Sequence, residues 1–235
     1  MQLFYNQHIN QSTEQITFDK VESRHIVKVL RKKEGDRITI SNGKGWLFTS
    51  EIILASDKKC IANIIAKEEK AKQRDYYLHI AIAPTKNNER LEWFLEKATE
   101  IGIDDITPII SRNSERKVIK AERLDKIILS AAKQSLKYHL PKLNAVSTFN
   151  DFLQTNSKEN IYIAHCYDGE KELMKNIVKS KQNITILIGP EGDFSLEEVS
   201  KSVAASYIPI SLGEARLRTE TAALVSVQNV AFINQ

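Results

Sequence analysis

The sequence predicts an α/β protein with a mostly parallel sheet covered by helices, preceded by a smaller β-rich module. Three observations predict it. From Tyr76 onward, apolar strand-like runs alternate with amphipathic helix-like runs, an order that builds a parallel sheet between helices. Before that point the chain reads mainly as short strands, with Asn42-Gly43 as a turn signal. Between the two parts, residues 67–75 (KEEKAKQRD) are dense in charge and nearly free of apolar side chains, which reads as a linker. These boundaries place one domain at residues 1–70 and a second at residues 74–235.

The elements follow in order. A helix is expected over residues 20–30. Strands follow at 37–40, 46–52 and 60–64, where β-branched and aromatic residues recur. In the second domain, residues 77–83 form an apolar strand ending at Pro84. Residues 89–101 form a helix with Leu91, Phe94, Leu95 and Ala98 at helical spacing and Gly102 as its C-terminal cap. Residues 105–110 are a strand. Residues 122–138 are a helix carrying Leu124, Ile127, Ile128, Ala131 and Leu136. Strands at 161–164 and 184–188 flank a helix over 170–179. The last helix, over 220–233, is apolar on nearly every side and has to be buried all round. A second subunit covering it predicts a homodimer; a core helix in a monomer is the competing reading.

Composition narrows the function classes. Of 235 residues, 42% are hydrophobic and 27% charged, as in soluble globular proteins. No run of about 18 apolar residues occurs, so no membrane span is expected. Residues 1–6 lack a basic stretch followed by an apolar one, so no signal peptide is expected. Cys60 and Cys166 are the only cysteines and lie far apart. That argues against a disulfide framework or a Cys-rich zinc site and fits a reducing cytoplasm. No His, Cys and carboxylate cluster has metal-ligand spacing, so no metal is expected. Residues 1–75 hold 14 Lys and Arg against 10 Asp and Glu, so the whole net charge of +4 sits in the first third. A basic module beside a neutral one suits a polyanion, although a solvated basic surface accounts for the charge equally well. Its densest element is Ser23-Arg24-His25-Ile26-Val27-Lys28-Val29-Leu30-Arg31-Lys32-Lys33. On a helix, Arg24, Lys28 and Arg31 share one face, suited to phosphates, while Ile26, Val29 and Leu30 lie on another.

Two loops carry the chemistry. Ile186-Leu187-Ile188-Gly189-Pro190-Glu191-Gly192-Asp193-Phe194 and Ser211-Leu212-Gly213-Glu214-Ala215-Arg216-Leu217-Arg218-Thr219-Glu220-Thr221-Ala222 each join a strand to a helix. Loops at the carboxyl ends of parallel strands are where such sheets bind ligands. Gly189 and Gly192 allow a ligand close to the main chain, and Ser195 with Glu198 matches a capping box. For the first loop alone, a ligand-free tight turn is the stronger reading. Glu191 needs a partner: a ligand cation or hydroxyl, or an arginine. Arg216 and Arg218 precede a helix start, where cations oppose the helix dipole. They are expected to face an anionic or electron-rich substrate, or to form an ion pair of Arg218 with Glu191 or Glu220. The dinucleotide fingerprint and the phosphate loop are both absent. His79, His139 and His165 read as structural, although His165 and Cys166 end a strand and are placed to touch a ligand.

Together these segments resemble the RsmE family, 16S rRNA (uracil-N3)-methyltransferases of the SPOUT class. The resemblance spans nearly the whole chain. It rests on Arg24-His25, Leu30-Arg31 and Gly35-Asp36 at the front. Glu96-Lys97-Ala98-Thr99-Glu100-Ile101-Gly102, Pro108, Ala131-Ala132-Lys133-Gln134-Ser135 and Pro141 follow, and the two C-terminal loops are the most diagnostic. It implies a PUA-like β-barrel RNA-binding domain before a knotted SPOUT methyltransferase domain. It also implies S-adenosylmethionine as cofactor and an obligate homodimer whose active site uses both subunits. The implied reaction methylates N3 of a uridine in the decoding region of the small ribosomal subunit, with 16S rRNA as partner. Implied cofactor contacts fall on Leu187, Gly189, Glu191, Gly192, Ser211, Leu212, Gly213, Leu217 and Arg218. Arg218 and Glu191 are the candidate catalytic groups, and Arg24, His25, Lys28, Arg31 and Lys32 the RNA contacts. Two residues depart from the family pattern: Asp193 stands where a third Gly is usual, and Lys137 replaces the more usual Arg. A tRNA methyltransferase and a non-catalytic dimeric RNA-binding protein are the alternatives.

Overall fold

The computed structural model describes residues 2–72, 74–155 and 160–235. Gln73, within the expected linker, lies outside the described residues. The chain divides into two compact units, Met1–Gln73 with Ala132–Leu140, and Arg74–Ala131 with Pro141–Gln235.

The first unit contains β1 (Leu3–Tyr5), β2 (Gln15–Thr17), α1 (Lys20–Arg24), a π-helical turn (His25–Val29), β3 (Arg37–Ser41), β4 (Trp46–Ala55) and β5 (Cys60–Glu69). The strands form one five-stranded sheet in the order β1-β3-β4-β5-β2. β1 runs parallel to β3 and the other pairs are antiparallel. Phe4, Ile16, Phe18, Ile26, Ile40 and Phe48 fill its core. β5 continues through Lys67, Glu68 and Glu69, which face Phe48, Leu47 and Trp46 of β4. The expected linker therefore begins too early. Backbone pairing carries the strand there, and its charged side chains stay in solvent.

Asp19 caps α1 by accepting the Glu22 N–H at 2.8 Å. The helix then widens, and the Leu30 N–H bonds to the His25 carbonyl at 2.9 Å, five residues back. The wider turn rotates the side chains that follow. Ile26 is buried, Val27 and Leu30 pack against the core, and Val29 is 66% exposed. The inner face is therefore Ile26, Val27 and Leu30, a correction to the expected Val29. Arg31 closes the element in the left-handed region, at φ 55°.

The second unit begins with β6 (Leu78–Ile82), α2 (Asn88–Ile101) and β7 (Asp105–Ile110). α3 (Ala121–Gln134), β8 (Lys142–Leu143), β9 (Ser147–Thr148), α4 (Phe149–Thr155) and β10 (Ile161–Ala164) follow. β11 (Glu172–Leu173), α5 (Met174–Ile177), β12 (Ile184–Ile188), α6 (Leu196–Ala204), β13 (Ile208–Ser211) and α7 (Thr219–Ile233) complete it. Its main sheet has the order β11-β13-β10-β12-β6-β7-β8 and every ladder is parallel, as the alternating pattern predicts. Both faces are covered. On β12, Ile184, Ile186 and Ile188 join one core with Phe94, Leu95 and Val227, while Leu187 joins the other with Phe149, Phe152 and Phe194.

Asn87 caps α2, accepting the Glu89 N–H at 3.0 Å, and Gly102 at φ 124° ends it. α3 stops at Gln134 rather than at 138. Leu136 turns left-handed at φ 53°, and the Lys137 N–H returns to the Ala132 carbonyl at 3.0 Å, the bond that closes a helix C-terminus. The helix expected over 170–179 is mostly absent. Glu172 and Leu173 instead pair with Ile210 and Ser211 of β13, leaving one short turn that buries Met174. α7 packs on α2, β6 and β12 and buries Ala223, Ser226, Val227 and Val230. Leu224, Val225 and Ile233 are only half-buried and Phe232 is 71% exposed. Burial of α7 on all sides is therefore not achieved within one chain.

Candidate active site

Three loops leave the carboxyl ends of β13, β10 and β12, which lie side by side. They enclose a cavity of ≈ 730 Å³, within the range of small-molecule sites. After β12, a Cβ on Gly189 would come within 3.1 Å of both the Phe194 ring and its main chain. A Cβ there would crowd the fully buried Phe194 side chain, so glycine at 189 favours this packing. Asp193 adopts φ 61°. Ser195 then opens α6 with the expected capping box: it accepts the Glu198 N–H, and the Glu198 carboxylate accepts the Ser195 N–H at 2.8 Å. After β13, Gly213 takes φ 127°, and its N–H bonds to Ser211 Oγ at 3.2 Å. α7 begins at Thr219 with Arg218 at the cap position and no side-chain cap bond.

Gly189, Glu191, Gly192, Ser211, Leu212, Gly213, Leu217 and Arg218 all line the cavity. Leu187 does not. Strand alternation turns its side chain into the opposite core, and Ile188 lines the cavity beside it, so only the Leu187 main chain is left to meet a ligand. His165 and Cys166 line it as well, as do Asp193 and Arg216.

The charged groups separate by partner. Glu191 Oε1 accepts the Lys86 backbone N–H at 3.0 Å. Glu220, nearly buried, lies 3.7 Å from Arg90 Nε. Neither carboxylate pairs with Arg218, so the expected ion pair is not formed. The exposed Arg218 guanidinium makes no bond to any described residue. Burial, then the positive charge of Lys171, pushes the His165 imidazole below its usual range. Burial, then the Asp193 carboxylate, pushes the Cys166 thiol up. The sequence pattern does not reveal the segment that braces this site. Asn113 Nδ2 donates to the carbonyls of Gly192 and Asp193, both at 3.1 Å. Arg116 donates to the Lys86 carbonyl at 2.7 Å. Polar and without periodicity, residues 111–116 signal nothing in the sequence.

In the first unit, Arg24, Lys28 and Arg31 are exposed. Lys28 lies 4.0 Å from Asp57. His25 is half-buried, with Nδ1 3.8 Å from Glu22. Arg31, Lys32 and Lys33 line a shallow cavity of ≈ 500 Å³.

Comparison with known proteins agrees with this geometry. An RNA methyltransferase domain family matches residues 53–231, and an RNA methyltransferase PUA domain family matches residues 18–65. A ribosomal RNA small subunit methyltransferase E of Rickettsia conorii is 32% identical over 215 residues, 89% of this chain and 86% of that protein. The chain belongs to the RsmE family. Among solved structures, a probable rRNA-methyltransferase from Porphyromonas gingivalis is 40% identical with TM-score 0.93, covering 100% of this chain and 98% of that one. A putative methyltransferase from Legionella pneumophila, solved with bound S-adenosylmethionine, is 25% identical with TM-score 0.87, covering 99% and 97%. Family membership fits a methyltransferase domain on a parallel sheet, with a five-stranded PUA-like half-barrel before it.

Proposed function

We propose that this chain transfers a methyl group from S-adenosylmethionine to N3 of a uridine in 16S rRNA of the small ribosomal subunit, in the decoding region. The observation that carries the reading is the three-loop cavity with Arg218 at its edge, in a chain of this family. The residues present suit the cofactor. Gly213, with nothing within 4 Å of where a Cβ would stand, opens the main chain to close approach, Glu191 suits a ligand cation or hydroxyl, and the volume is sufficient. When bound, the cofactor supplies a methyl carbon on a sulfonium, an electrophile.

Uracil N3 carries a proton and attacks only as that proton leaves. The new N3–carbon bond forms as the carbon–sulfur bond breaks, and negative charge spreads onto the uracil carbonyl oxygens. A guanidinium held free of protein partners stabilises that charge, which assigns Arg218 its role. Glu191 is the candidate proton acceptor. It is anchored by the Lys86 N–H rather than by an arginine, so it does not act by orienting Arg218. The base reaches the pocket by leaving its stack. Arg24, His25, Lys28, Arg31 and Lys32 grip the RNA backbone, which positions without reading sequence.

The half-exposed apolar face of α7 supports a homodimer. Phe232→Glu places a charge on that face, and sedimentation is expected to shift from dimer to monomer. An unchanged dimer removes α7 from the interface. The cofactor assignment is tested by calorimetric titration of S-adenosylmethionine into wild type and Gly213→Trp, whose side chain obstructs the cavity. Binding by wild type alone supports the reading. No binding by folded wild type, even with ribosomal subunits present, favours a non-catalytic RNA-binding protein.

A further inference from the structure

The loops after β10 and β12 meet at Asp193. Its carboxylate uses both oxygens: Oδ1 accepts the Phe194 N–H at 2.7 Å and Oδ2 accepts the Cys166 N–H at 2.7 Å. Hydrogen bonds from backbone donors to a carboxylate are short and about twice as strong as neutral ones. The first bond folds the turn on itself. The second crosses to the loop of the adjacent strand. A further bond joins the same loops, from the Tyr167 hydroxyl to the Phe194 carbonyl at 2.8 Å. Asn113 holds the Asp193 carbonyl from the other side at 3.1 Å. His165, Cys166 and Asp193 all line the cavity, so this latch forms part of its wall.

We propose that Asp193 is a positioning residue for cofactor binding, its carboxylate latching the Cys166 backbone to the β12 turn and so fixing one wall of the pocket. The proposal rests on the reading of that cavity as the S-adenosylmethionine site. A wall fixed in advance spares the ligand the cost of ordering it. Arg218 lies on the third loop, so losing the latch weakens binding more than the chemical step.

The competing role is turn formation alone. Asp193 sits at φ 61°, and glycine adopts positive φ at no steric cost. Asp193→Gly therefore keeps the turn and removes the latch. Asp193→Asn tolerates the same backbone and keeps one acceptor oxygen, so it covers the case in which the glycine variant does not fold.

The experiment measures the Kd and KM for S-adenosylmethionine and the kcat with ribosomal subunits, for wild type and both variants. The latch predicts that Asp193→Gly raises Kd and KM roughly tenfold, the scale of one charge-assisted bond, with kcat within about twofold. Asp193→Asn falls between. A readout independent of activity is alkylation of Cys166 by iodoacetamide, followed by mass spectrometry. Cys166 is exposed and Cys60 fully buried, so one thiol reports. Loss of the carboxylate frees the backbone and removes a charge that disfavours the thiolate, so alkylation accelerates in Asp193→Gly. Wild-type Kd, KM and alkylation rate in Asp193→Gly overturn the proposal. A wild type that binds no cofactor overturns the reading of the cavity and the positioning role with it.

Discussion

Arg218→Ala is expected to lower kcat by roughly a hundred- to a thousandfold, the usual loss when one preorganised donor to a developing oxyanion is removed. The Kd for S-adenosylmethionine should change much less. The basis is structural. Arg218 stands at the start of α7, where a cation opposes the helix dipole, and no described residue compensates its charge. The two carboxylates expected to pair with it are engaged elsewhere, Glu191 with the Lys86 N–H and Glu220 beside Arg90. A side chain kept this way is useful when its partner arrives with the substrate. Removing it should not destabilise the fold, because it holds nothing in the fold. Single-turnover kinetics with saturating cofactor separates the chemical step from binding. Near wild-type turnover in this variant removes Arg218 from the mechanism.

The double variant Arg24→Ala with Arg31→Ala is expected to raise the KM for ribosomal subunits at least tenfold while leaving kcat at saturation and cofactor affinity nearly intact. For every phosphate that is no longer neutralised, the logarithmic salt dependence of RNA binding should flatten by roughly 0.7–0.9. Both side chains are exposed and flank the π-helical turn, and the core beneath them is built from Ile26, Val27 and Leu30, so the substitutions spare packing. Binding measured across a salt series checks this. An unchanged slope would mean that the positive charge of the first unit is solvated surface.

The parallel sheet was legible because its strands are short apolar runs bounded by turn residues. The strands at Asp105–Ile110, Ile161–Ala164 and Ile184–Ile188 match the expected bounds. Ser195 and Glu198 gave the start of α6 from capping chemistry alone. What escaped has common causes. Periodicity assumes an α-helix, so it misplaced Val29 where the turn is π-helical. Polarity suggested a linker at Lys67, where backbone pairing continues β5. Strand alternation, applied to β12, would have put the Leu187 side chain in the core rather than the cavity. A contact such as Asp193 with Cys166 joins loops 27 residues apart, and no local pattern encodes it.

Methyl transfer is expected at N3 of one uridine. Small ribosomal subunits lacking the modification, incubated with the protein and methyl-labelled S-adenosylmethionine, test it most directly. After digestion of the 16S rRNA to nucleosides, label is expected in N3-methyluridine from a single position, lost with Arg218→Ala. Label in another nucleoside, label in tRNA instead, or none with a wild type that binds cofactor would contradict it.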